Sequence, residues 1–115
     1  MEPPMSRSRS MPSETLDVQS IRQSAGFAAA FLKSMANEDR LVLLCQLTEG
    51  ERSVGELEQL TGIQQPSLSQ QLGVLRAEGL IQPRREGKFM FYRITDTRVL
   101  GLLRALEAAF CRGAP

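Results

Sequence analysis

Two short amphipathic helices separated by only a few residues, with an aromatic hairpin behind them, set the tightest limit on how this chain can fold. Ser53-Val54-Gly55-Glu56 has the form of a capping box, with Ser at the N-cap and Glu three residues on. It predicts a helix with Val54, Leu57 and Leu60 on one face. Thr61-Gly62 ends that helix, because glycine accepts the left-handed conformation that follows a helix terminus. Pro66 suits the first turn of the next helix, where its missing N–H would have had no partner. This second helix is expected from Pro66 to Glu78, with Leu68, Leu72 and Leu75 as a narrow core stripe and Gly79 as its stop. A pair of helices joined this tightly is a helix-turn-helix.

The flanking segments complete the pattern. Leu80–Pro83 and Phe89–Ile94 read as two strands around Arg84-Arg85-Glu86-Gly87-Lys88, with glycine at the turn and strand-favouring aromatics at Phe89, Phe91 and Tyr92. Upstream, Leu16–Met35 carries Ile21, Ala28, Phe31, Leu32 and Met35 at helical spacing. Asn37 caps a further helix from Glu38 to Thr48, whose Leu41, Val42, Leu43, Leu44, Cys45 and Leu47 predict burial on most faces. Asp96 opens the last helix, with Val99, Leu102, Leu103, Leu106 and Phe110 as its stripe. The expected fold is mostly α with a β-hairpin wing, in the order α-α-α-α-β-β-α: a winged helix-turn-helix. Residues 1–14, rich in Ser, Pro and Arg, are expected to be a disordered tail ahead of one domain over 15–112. The first and last helices carry more apolar surface than one small domain covers, which predicts a homodimer formed through them.

Composition removes most other chemistries. The 115 residues contain no histidine and two cysteines. That excludes Ser-His-Asp and Cys-His catalysis and zinc sites built on imidazole, and two thiols fall short of an all-cysteine zinc site. No Cys-x-x-Cys, catalytic base or cofactor motif is present, so the chain is not expected to be an enzyme or to hold a cofactor. No stretch approaches the roughly 20 apolar residues of a membrane span, and the N-terminus lacks the apolar run of a secretory signal. A cytoplasmic protein is expected, in a reducing compartment where Cys45 and Cys111 are not a disulfide framework. Taken singly, each cysteine also reads as a small packing residue.

Charge separates along the chain although the net is only +1. Residues 36–64 carry two basic and six acidic side chains, whereas residues 65–93 carry five basic and two acidic. Positive charge therefore gathers on the second helix of the pair and on the wing, where phosphates would lie. Glutamine and serine on the exposed side of that helix can bond base edges or phosphates, although they also suit any solvated helix face. The expected DNA contacts are Gln64, Gln65, Ser67, Ser69, Gln70 and Gln71, with Arg84, Arg85 and Lys88 of the wing.

Val54-Gly55-Glu56-Leu57-Glu58-Gln59, Gln65-Pro66-Ser67-Leu68-Ser69-Gln70-Gln71-Leu72-Gly73-Val74-Leu75-Arg76 and Phe91-Tyr92-Arg93 resemble the ArsR/SmtB family of winged-helix repressors. Leu32–Asn37 and Arg40-Leu41 resemble that family's junction between its first two helices. The resemblance implies a homodimer that binds double-stranded operator DNA and is released by an inducer. Metal-sensing members place a Cys-x-Cys pair where this chain has Ser53 and Gly55, or use histidine on the last helix, so no metal site is expected here. The paired Cys45 and Cys111, with the Gln-rich helix, are similar to the BigR/SqrR-like persulfide-responsive branch. In that branch two thiols form a sulfur-linked bridge that lowers DNA affinity and derepresses sulfide-detoxification genes. The resemblance thus implies redox sensing by Cys45 and Cys111, with reactive sulfur species or an oxidant as inducer. Peroxide, a metal or another inducer with structural cysteines remains the alternative.

Overall fold

The computed structural model describes residues 16–112. The tail expected over residues 1–14 lies outside them. The elements in chain order are α1 (Val18–Met35), α2 (Glu38–Leu47), β1 (Arg52–Ser53), α3 (Val54–Thr61), α4 (Ser67–Ala77), β2 (Ile81–Glu86), β3 (Phe89–Ile94) and α5 (Thr97–Glu107), closed by a π-helical turn (Ala108–Arg112). The chain divides into two compact units at Lys33–Ser34.

The first unit contains most of α1. Asp17 accepts hydrogen bonds from the Gln19 backbone N–H at 3.1 Å and the Ser20 hydroxyl at 2.8 Å, and so caps the helix. The Ser20 hydroxyl, with the backbone N–H groups of Ser20 and Gln19, holds the Asp17 carboxyl below its ordinary range. The α1 side chains of Val18, Ile21, Phe27 and Leu32 are exposed.

The second unit is the winged helix-turn-helix. Its core is aliphatic: Leu43, Leu44 and Leu47 of α2, Leu57 of α3, Leu68, Leu72 and Leu75 of α4, Ile81 of β2, and Val99 and Leu103 of α5 are all buried. The helix ends follow the expected signals. Asn37 accepts from the Arg40 backbone N–H. Ser53 and Glu56 form the full capping box, with Glu56 N–H to Ser53 Oγ at 3.1 Å and Ser53 N–H to Glu56 Oε1 at 2.8 Å. Gly62 takes the left-handed conformation at φ 76°.

Three expectations need correction. The wing hairpin turns through Gly87-Lys88 alone, so Arg84, Arg85 and Glu86 belong to β2 and pair with Phe91, Met90 and Phe89. A two-residue turn with positive φ at its first position keeps strands in register, and Gly87 at φ 62° supplies it. A third strand exists: the two residues of β1 pair antiparallel with Tyr92 and Phe91 of β3, giving the sheet order β1-β3-β2. Burial of the apolar stripes is also narrower than expected. Val42 and Cys45 of α2 and Leu60 of α3 are exposed, because each of these helices packs on one side only.

Replacing Ser53 by Ala removes a cap and is expected to cost about 1 kcal/mol. Leu57→Ala should cost about 3 kcal/mol, since Leu57 is completely buried. Urea unfolding checks both: the midpoint should fall with m unchanged, and a Leu57→Ala midpoint equal to wild type would remove α3 from the core.

Candidate nucleic-acid interface and cysteine groove

Leu68, Leu72 and Leu75 anchor α4, so its opposite side is the one presented outward. Ser69 and Gln70 are exposed there, Ser67 is half-buried at the first turn, and Gln64 is exposed just before it. None of these four side chains has a partner among the described residues.

Two of the expected contacts are engaged inside the protein. Gln65 Oε1 accepts from the Ser69 backbone N–H at 3.0 Å and supplies the α4 cap that Pro66, lacking a side-chain oxygen, cannot. Gln71 is half-buried, and its Oε1 accepts from Arg40 Nη1 at 3.0 Å. The same arginine donates from Nε to the Ser34 carbonyl at 2.9 Å.

The wing shows a similar division. Arg84 donates from Nη2 and Nε to the two oxygens of Glu51, at 2.7 and 3.0 Å. It also reaches Glu86 at 3.2 Å and lies 4.9 Å from the centre of the Phe91 ring. Its hydrogen bond to Glu51 holds the guanidinium firmly protonated and keeps the Glu51 carboxyl below the ordinary carboxylate range. Arg84 is thus the clamp that ties β2 to the segment between α2 and α3. Arg85 and Lys88 are exposed, with no partner among the described residues, and remain available to phosphates.

A groove of about 700 Å³ lies between α2 and the α5 end, and Cys45 and Cys111 both line it. Leu41, Leu103, Leu106 and Phe110 contribute apolar walls, and Arg104 and Glu107 line it as well. Both thiols are free and exposed, so neither is a buried packing residue. Partial burial pushes the Cys45 thiol above its ordinary pKa, and the charges of Cys111 and Glu107 push it further in the same direction. Glu107 lies four residues before Cys111, one turn along a helix, a spacing that could have marked it in the sequence. Arg40 and Glu51 carried no such signal, because their partners are 31 and 33 residues away. Among the described residues no group of three or more metal-ligating side chains comes together, and no helix is long and apolar enough to cross a membrane.

Comparison with known proteins agrees with this architecture. Residues 37–82 match the model of the bacterial regulatory proteins of the arsR family. The chain is 48% identical over 93 residues to the biofilm growth-associated repressor of Xylella fastidiosa, covering 81% of this chain and 82% of that protein. It is 37% identical over 97 residues to the transcriptional activator HlyU of Vibrio cholerae, covering 84% and 90% of the two. The crystal structure of the transcriptional repressor BigR from Xylella fastidiosa superposes with a TM-score of 0.81 at 47% identity, over 84% of this chain and 98% of that one. A winged helix-turn-helix with this degree of identity across most of its length places the chain in the arsR family of bacterial regulatory proteins.

Proposed function

We propose that this protein is a homodimeric transcriptional repressor that leaves its operator when Cys45 and Cys111 are joined through sulfur. Similarity to the biofilm growth-associated repressor of Xylella fastidiosa, in sequence and in structure, supports the sign of regulation. The exposed apolar side chains of Val18, Ile21, Phe27 and Leu32 in α1, with Phe110 after α5, support a dimer, since exposed apolar surface of that extent marks an interaction site. The observation that carries the switch is the opening of both thiols onto one groove.

The chemistry needs only a persulfide, R–S–SH. One cysteine thiolate attacks its outer sulfur and the donor leaves as a thiol, so the cysteine gains one sulfur. After a second transfer, the other thiolate attacks the middle sulfur and expels hydrosulfide, which leaves a trisulfide. Such a link constrains α2 against the α5 end. It releases DNA if the DNA-bound arrangement disfavours it, as linkage requires. The protein performs no turnover in this scheme; it acts as a stoichiometric switch.

Fluorescence anisotropy with DNA from upstream of its own gene tests the switch. Reduced protein should bind tightly, polysulfide should release it, and a reductant should restore binding. Cys45→Ser and Cys111→Ser should each bind as wild type and resist release. Release that survives in either variant would sink the dithiol switch and leave a repressor with another inducer.

The wing and α4 should separate in the same assay. Lys88→Ala should weaken binding to all sequences and lower the slope of log K against log salt by about 1. Ser67→Ala combined with Gln70→Ala should instead reduce the preference for operator over scrambled DNA. Equal preference in that double variant and wild type would rule out these side chains as readers.

The raised pKa of Cys45 gives a pH signature. Its thiol stays protonated to higher pH than an ordinary cysteine, and burial and Glu107 act in the same direction without Cys111, so alkylation of Cys45 in the Cys111→Ser variant should still accelerate at pH values where an ordinary cysteine has levelled off. A rate that levels off near pH 7 would mean an activated thiolate instead.

A further inference from the structure

The lining of the cysteine groove restricts what can reach the thiols. Its apolar side chains are Leu41 of α2, Leu100, Leu103 and Leu106 of α5, and Phe110 beside Cys111. Leu41 lies one turn before Cys45, so apolar surface begins next to that thiol. Leu41, Leu100 and Leu106 are only half-buried and keep apolar area for an occupant to cover. Arg104 is the one cation among the described residues that line the groove, against the carboxylates of Glu49 and Glu107. Burial, then Cys111, then Glu107 all act against negative charge at Cys45. A charged donor would add a second negative charge to that of the attacking thiolate, in the same partly desolvated place. The volume of about 700 Å³ falls within the roughly 300–1,000 Å³ of small-molecule sites.

We infer that the groove takes an uncharged diorganyl trisulfide, R–S–S–S–R, with its apolar R groups against the leucine walls and its sulfur chain between Cys45 and Cys111. The inference rests on the dithiol switch proposed above and names the class of its donor. One cysteine thiolate attacks the central sulfur and expels the first R–S⁻, which leaves Cys–S–S–S–R. The other thiolate attacks that same central sulfur and expels the second R–S⁻. Two S–S bonds break and two form, and the two cysteine protons end on two molecules of R–SH. The cysteine pair gives up two electrons and the donor takes them, so no further oxidant enters. The product is the same trisulfide link between Cys45 and Cys111, reached with one donor molecule where the persulfide route consumes two.

Dipropyl trisulfide and di(carboxyethyl) trisulfide test this choice. They share the sulfur chain and have side groups of similar length, but one is uncharged and the other a dianion. Each is reacted with the reduced full-length protein, and with mercaptoethanol to measure intrinsic reactivity. Intact mass follows the link, and anisotropy follows operator release. Relative to mercaptoethanol, the dipropyl compound should react about tenfold faster than the dianion. One equivalent should release the operator and add one sulfur less two hydrogens to the chain. Glu107→Gln should shrink the preference for the uncharged donor severalfold, whereas a merely loosened groove would change both rates alike. Equal relative rates in the wild type, or a faster dianion, would overturn the inference. An R–S group left on each cysteine in place of the link would overturn it too. Release by a persulfide in either of those cases would leave the dithiol switch standing. Failure of every donor to join the two thiols would remove that switch, and this inference with it.

Discussion

The aliphatic core under α4 is the constraint on which the rest of the second unit depends. Leu68, Leu72 and Leu75 are buried with Leu43, Leu44 and Leu57, and α4 packs on both α2 and β2. None of the five phenylalanines and the single tyrosine belongs to the buried set. A core made only of leucine, isoleucine, valine and methionine packs closely and contains no ring to accommodate. The aromatic side chains are left for the wing and the outer helices. Phe91 there lies beside Arg84, and Phe110 forms part of the cysteine groove. Because α4 is held on one side, its short polar side chains are displayed from a fixed platform. A reading surface requires this, since an imprecise platform loses base-edge geometry before it loses phosphate attraction.

Local signals in the sequence carried most of this architecture. The Ser53–Glu56 capping box, Asn37, Gly62 and the leucine stripe of α4 each act within a few residues, and the structure has all of them. What escaped detection is non-local. The strand β1 is only two residues long and exists because Arg52 and Ser53 meet Tyr92 and Phe91 some 40 positions away. The wing was expected to turn through five residues and turns through two, because Arg84 and Arg85 extend the strand by pairing across to β3. Strand length depends on the partner as much as on propensity.

The site shows the same limit at the level of side chains. Gln65, Gln70 and Gln71 look alike in sequence, yet one caps α4, one is exposed and one is held by Arg40. Arg84 and Arg85 are neighbours in sequence. The first grips Glu51 through two nitrogens and the second is exposed without a partner among the described residues. A count of positive charge on the wing therefore overstates what is free to meet phosphate. A carboxylate already engaged in charge-assisted hydrogen bonds competes directly with DNA for the same guanidinium. The two cysteines stand 66 positions apart, and only the packing of α5 beside α2 gives them a common groove.

The helix α2 connects the two sites. It is ten residues long, with Arg40 in its first turn and Cys45 in its last. The two lie about 7.5 Å apart along the helix axis. Leu43, Leu44 and Leu47 seat the helix in the close-packed core. A sulfur link at Cys45 applies its constraint at one end of this rod, and the hydrogen bond from Arg40 to Gln71 lies at the other. Rotation of α2 by a few degrees changes a hydrogen bond far more than it changes leucine packing, because hydrogen bonds weaken steeply with angle while dispersion contacts are non-directional. If the thiols are joined as proposed, the constraint therefore reaches the hydrogen bond between Arg40 and Gln71 before it disturbs the leucine packing beneath α4.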